Sequence, residues 1–179
     1  MEFEYAVEIV QLLASPIHRY EGRPADGPLS PAGPELHNSV AVRAGLGIVG
    51  DRFFGRPAHL RASVTVMAAE SLEGVQQALG LERPVAAEGA RRNILLRGVN
   101  VDALPGARFS IDGIEFAAHR PARPCAWMDV ALAPGAFRAL RGRGGVRCEP
   151  LTSGTLTLGP AILRSSVDLS FPDLAPALF

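Results

Sequence analysis

Arg108-Phe-Ser-Ile-Asp-Gly-Ile-Glu-Phe-Ala117 is the stretch on which the fold reading rests. Apolar and polar residues alternate on either side of Asp112-Gly113, the period of a half-buried strand. Asp-Gly supports the positive φ angles of a two-residue hairpin turn, and that turn sets Ile111 opposite Ile114 and Phe109 opposite Phe116 on one face. A hairpin whose aromatic face needs cover implies further strands, and the chain supplies them in both directions.

Downstream, residues 146–152, 155–158 and 161–164 read as closing strands, after short helices at 126–132 and 135–141. Upstream, 62–68 alternates β-branched residues and 92–97 is a second apolar run; both are strands. Between them 69–79 carries Leu72, Val75 and Leu79 at helical spacing, with Gly80 where a helix stops. Residues 6–13 form a first strand, and 40–42 and 45–49 are short extended pieces. The proline- and glycine-rich stretch 19–38 can be neither helix interior nor central strand, so it is a long surface loop. The tail 165–179 is apolar and punctuated by proline. Neither repeat nor linker divides the 179 residues, which fit one domain. Many short strands with a few helices predict a mostly β fold with some α, a β-barrel with peripheral helices.

Composition narrows the function classes. Hydrophobic residues make up 47%, ordinary for a globular chain. No apolar run approaches the ~20 residues of a membrane span. The opening Met1-Glu2-Phe3-Glu4 is acidic where a signal peptide is basic. Two cysteines, Cys125 and Cys148, are too few for a disulfide scaffold and read as reduced thiols. The expectation is a cytoplasmic protein with no membrane contact. Net charge is zero, which argues against bulk binding of nucleic acid. Lysine is absent. From Arg91 to Arg147, however, there are ten arginines against four acids, enough for an anion-binding face if folding gathers them.

Chemistry centres on His119-Arg-Pro-Ala-Arg-Pro-Cys-Ala-Trp-Met-Asp129. Arg120 and Arg123 bring positive charge to Cys125, a helix starting after Pro124 would aim N–H groups at the sulfur, and two prolines fix the backbone. A small apolar thiol in the core is the competing reading. Cys148 alternates with Val146 and Pro150 on one side of a strand, which favours a packed, inert thiol. Arg91, Arg92 and Asn93 open one strand, and Gly142-Arg143-Gly-Gly145 is a turn whose N–H groups could line an anion; guanidinium groups suit phosphate. His18, His37, His59 and His119 show no metal-ligand spacing. His119 could serve a proton near Cys125 or simply end a strand, and Asp51 reads as a turn or salt-bridge acid. Nucleotide-binding glycine motifs and the serine-hydrolase elbow are both missing.

Taken in order, seven segments resemble the MOSC domain, the C-terminal module of molybdenum-cofactor sulfurases. They are Gly45-Leu-Gly-Ile-Val-Gly-Asp-Arg52, Val64-Thr-Val-Met-Ala-Ala-Glu70, Arg91-Arg-Asn-Ile-Leu-Leu-Arg-Gly-Val99 and Leu104-Pro-Gly-Ala-Arg-Phe109. Arg120-Pro-Ala-Arg-Pro-Cys-Ala126, Gly142-Arg-Gly-Gly-Val-Arg147 and Leu151-Thr-Ser-Gly-Thr155 complete the set, over about residues 45–160. The resemblance implies a β-barrel fold and a role with the molybdenum cofactor (molybdopterin) or in sulfur transfer. It places the family's cysteine at Cys125, as molybdenum ligand or persulfide carrier. It also places Arg91, Arg92, Asn93 and Arg143 where a pterin phosphate is held, with Arg120, Arg123 and Asp129 beside the cysteine. The pyridoxal-phosphate domain of full sulfurases is not accommodated in this length, and no lysine is present for its Schiff base. A separate sulfur-donor or electron-donor protein is therefore the implied partner. The alternative is a non-catalytic module that binds the cofactor or another anion and delivers it. Ala122 stands where many relatives have a second cysteine, and Phe53-Phe54 where many have histidine after Gly-Asp-Arg.

Overall fold

Asp112 and Gly113, at φ +47° and +81°, close the hairpin between β6 (Arg108–Ile111) and β7 (Ile114–Pro121). The register is the expected one, with Ile111 opposite Ile114 and Phe109 opposite Phe116. The two phenyl rings stack with centroids 5.2 Å apart. The computed structural model describes residues 1–172.

Around this hairpin the remaining long strands close a seven-stranded barrel. They are β1 (Phe3–Leu12), β4 (Val64–Ala68), β5 (Ile94–Arg97), β8 (Val146–Pro150) and β10 (Gly159–Ser165). Their order is β1-β10-β6-β7-β8-β4-β5, and β5 returns to pair with β1. Closure leaves no open edge. Every pairing is antiparallel except β4 with β5. A parallel pair needs a crossover, and helix α1 (Ala69–Ala78) supplies it. Gly80 follows at φ +61°, the left-handed residue that ends such a helix. A separate sheet of β3 (Gly47–Ile48), β2 (Ser39–Arg43) and β9 (Gly154–Thr157) flanks the barrel.

Two apolar layers result. Val7, Ile9, Val66, Leu96, Phe116 and Cys148 fill the barrel interior. Met67 and Leu95 point outward and pack with Leu72 and Val75 of α1, Met128 of α2 (Trp127–Ala131) and Ala136 of α3 (Ala136–Ala139). All five residues of β4 are buried because both its faces are covered. The 19–38 loop holds only one helical turn, Pro24–Asp26. Of the expected tail, Leu169 is buried, while 173–179 lie outside the described residues. Among the described residues no helix is long and apolar enough to cross a membrane.

Candidate functional site

The expected strand at 92–97 begins two residues late, at Ile94, and the delay shapes the site. Arg91 ends the helical turn Ala87–Ala90 at φ +55°, a left-handed conformation uncommon for a side chain of this size. The turn sends Arg91, Arg92 and Asn93 inward, and all three are buried.

Each is held differently. Arg91 grips Glu35 with two parallel bonds, Nη1 to Oε2 at 2.8 Å and Nη2 to Oε1 at 2.9 Å. Arg92 donates to three carbonyls: Nε to Gly144 at 2.8 Å, Nη1 to Ala90 at 2.9 Å and Nη2 to Ala122 at 3.0 Å. Asn93 Nδ2 donates to Leu13 O and Asp51 Oδ2, both at 3.0 Å, and its Oδ1 accepts from Thr65 N and Oγ1, both at 2.9 Å. Asp51 also accepts the Phe53 N–H at 3.0 Å, the turn role expected for it.

Cys125 is exposed, on the loop between β7 and α2. The loop is anchored behind it, where Ala122 receives Arg92 at its oxygen and donates its N–H to Gly145 O at 2.7 Å. Gly144 backs the loop so closely that a Cβ there would lie 2.3 Å from Ala122 O. In the expected glycine turn two N–H groups are already engaged: Arg143 N–H bonds Leu140 O and Gly145 N–H bonds Asp102.

Cys125, Arg91, Arg92, Asn93 and Arg123 all line one cavity of about 310 Å³. So do Arg52, Arg147 and Asp51, with the aromatic rings of Tyr20 and Trp127 meeting edge to face at 5.3 Å. Five guanidinium groups against one lining carboxylate make the cavity cationic. Burial lowers the pKa of Arg52, with Arg91 and Arg147 adding repulsion against the opposing pull of Asp51. Arg92 is pushed down to about 10, first by burial and then by Arg147. Arg147 is lowered by burial and by Arg120. A thiolate at Cys125 opposes the shift at both Arg92 and Arg147, so sulfur and guanidinium groups share one electrostatic neighbourhood. Arg52 and Arg91, which line this cavity, each keep a buried Nε without an acceptor among the described residues. Guanidinium groups gathered around one cavity suit an anionic ligand.

The other expected positions fall outside this cavity. Asp129 Oδ1 accepts the Phe137 N–H at 2.7 Å and ties α2 to α3. Arg143 lies beside Gly74 of α1. Arg120 lines a separate hollow with His119, whose ring bridges Arg61 (3.3 Å) and Glu149 (3.0 Å). Cys148 is fully buried in the barrel core, and burial pushes its thiol pKa up, as an inert role requires.

Sequence reasoning passed over Arg52, Arg147, Tyr20 and Glu35. Arg52 had a signal in its position after Gly50-Asp51. Glu35 had none, being one acid in a long loop. It accepts Ser15 Oγ at 2.6 Å and Arg19 at 3.0 Å besides Arg91. Burial alone would raise its pKa; the Arg91, Ser15 and Arg19 bonds together outweigh that and hold it at about 2.

Comparison with known proteins agrees with this architecture. No curated protein matches the chain. Among solved structures, the YuaD protein from Bacillus subtilis is similar with a TM-score of 0.71 at 16% identity, covering 94% of this chain and 100% of that one. YiiM from Escherichia coli gives 0.59 at 14% identity over 94% of this chain and 73% of its own. YiiM from Geobacillus stearothermophilus gives 0.57 at 15% over 88% and 75%. At these identities the likeness is one of fold. The sequence model of the MOSC domain matches residues 49–162, from just after β3 into the middle of β10, and takes in Arg52, Arg91, Cys125 and Arg147. This chain belongs to the MOSC domain family.

Proposed function

We propose that the cavity binds the molybdenum cofactor or carries sulfur for transfer, with Cys125 as metal ligand or persulfide carrier and Arg52 and Arg91 as the phosphate-holding donors. The observation that carries this reading is an exposed thiol in a cavity lined by five arginines, two of which, Arg52 and Arg91, keep a buried Nε without an acceptor among the described residues. The donor set fits a group that joins a phosphate to a thiophilic metal. Guanidinium suits phosphate, and thiolate is a soft ligand. Among the described residues no three His, Cys, Asp or Glu side chains converge as a metal cage. A metal chelated by an organic cofactor needs only an open protein thiolate, so a lone cysteine suffices.

When bound, the cofactor would supply two-electron redox chemistry at its metal. The protein's own contribution is binding and orientation. Arg52 and Arg91 hold the anion, Arg123 and Arg147 add positive potential near the sulfur, and Arg92 fixes the loop that bears it. Tyr20 and Trp127 narrow the cavity and limit water. A separate donor protein would have to reach Cys125, and its exposure permits that approach.

Expression in a cofactor-competent host, followed by molybdenum analysis and cyanide release of sulfane sulfur, tests the reading. Metal present in wild type and lost in Cys125→Ser supports ligation. Cyanide-labile sulfur lost in the same variant supports carriage. If neither depends on Cys125, the reading fails at the cysteine, and phosphate binding by Arg52 and Arg91 then points to a delivery module.

A further inference from the structure

Of the guanidinium groups that share a cavity with Cys125, two have their Nη donors engaged inside the protein. Arg91 gives both to Glu35, and Arg92 gives both to the carbonyls of Ala90 and Ala122. Arg52 and Arg147 differ: among the described residues neither side chain has a hydrogen-bond or ion-pair partner. Arg52 buries only its Nε, so its Nη groups and the whole Arg147 guanidinium keep accessible surface in the cavity. The Arg52 guanidinium lies over the Phe53 ring, 4.5 Å from its centroid, which occupies its face and leaves its edge for an anion. Asp51, the one lining carboxylate, is tied to Asn93 and to the Phe53 N–H. Arg147 also interacts electrostatically with the Cys125 sulfur.

An exposed thiol beside guanidinium groups that lack counter-ions suits a substrate that is itself an anion carrying an electrophilic sulfur. A cavity of about 310 Å³ limits that substrate to a small one. We infer that the cavity takes a thiosulfonate-type oxyanion, thiosulfate being the simplest, as sulfur donor to Cys125, with Arg52 and Arg147 binding its sulfonate oxygens. The inference rests on the sulfur-carriage arm of the function proposed above and makes the donor a small anion in place of a protein.

The Cys125 thiolate attacks the outer sulfur of thiosulfate. The Sγ–S bond forms as the bond to the sulfonate sulfur breaks, and the bonding pair leaves with sulfite. A thiolate and a dianion give a persulfide anion and a sulfite dianion, so charge balances and no further oxidant or reductant is needed. Negative charge moves onto the sulfonate group in this step, where the two guanidinium groups stabilise it.

Reduced full-length protein, given thiosulfate with cyanide as acceptor, tests this through the thiocyanate released. Wild type should turn over and Cys125→Ser should not. Sulfate, which has the oxyanion and no transferable sulfur, should inhibit competitively. Arg147→Gln should lower kcat/KM for thiosulfate about tenfold more than it slows alkylation of Cys125 by neutral iodoacetamide, the effect of one charged hydrogen bond. Arg147→Lys should recover part of that difference. Equal losses in the two assays, or no competition by sulfate, would overturn the inference. So would the absence of Cys125-dependent thiocyanate, and loading with polysulfide then separates two cases. Cyanide-labile sulfur taken from polysulfide onto Cys125 leaves sulfur carriage standing without this donor, and none sinks both.

Discussion

Arg92 Nη2 lies 3.0 Å from the carbonyl oxygen of Ala122, three residues ahead of Cys125. With its other bonds to Gly144 and Ala90, the guanidinium joins two loops to the helical turn Ala87–Ala90. Arg92→Ala would leave three carbonyls without their donor, and it should cost about 3 kcal/mol of stability. Arg92→Lys should recover little, because an ammonium cannot span the same fork. Gly144→Ala, which drives a methyl against Ala122 O, should cost about 1–3 kcal/mol by overpacking. Urea unfolding monitored at Trp127 reads all three.

Arg52 should behave in the opposite sense. Its buried Nε has no acceptor, so Arg52→Ala removes an unsatisfied donor and should leave the melting temperature unchanged or higher. Inorganic phosphate binding, followed by calorimetry, should weaken about tenfold or more. A variant that loses stability and keeps phosphate affinity would show that Arg52 is structural.

Glu35 gives a pH signature. Its pKa in the folded state is held at about 2, below the ordinary carboxylate value. The stabilisation it gives is thus full above about pH 4.5 and is lost as pH falls through the folded value. Glu35 is partly exposed, so after solvent screening the contribution is about 1–2 kcal/mol. The stability gap between wild type and Glu35→Gln should be present at pH 7 and shrink between about pH 4.5 and 2. Amide exchange in residues 19–35 should quicken in the variant at neutral pH.

The two thiols should separate cleanly. A disulfide reagent should titrate one thiol in the native protein, and the second only after denaturation. Cys125→Ser should abolish the native reaction and Cys148→Ser should not. Two thiols reacting in the native state would contradict the burial of Cys148.

The fold was legible wherever the code is local. Asp112-Gly113 requires positive φ, and period-two alternation settled both the hairpin register and the inward side of Cys148. The parallel pairing of β4 with β5 was not legible, because it depends on how a crossover packs. The cavity was legible as a cluster of arginines but not as a division of labour. Arg91, Arg92 and Arg143 look alike in sequence, yet one grips Glu35, one holds carbonyls and one lies against α1. Those differences come from distant partners, 56 residues away for Arg91 and 52 and 30 residues away for two of the three Arg92 bonds. The left-handed turn at Arg91 is likewise invisible locally, since nothing but its tertiary partners holds a non-glycine residue there.

Closure of the barrel has a temporal side. Phe3 pairs with Ser165, so the first strand made must wait for the last before its hydrogen bonds are complete. Such long-range pairing places the domain among slow folders. Until β10 emerges from the ribosome, β1 and β6 each present a raw edge to other chains. Aggregation during synthesis is therefore the characteristic hazard of this topology, and it ends when residues 159–165 dock between those two strands.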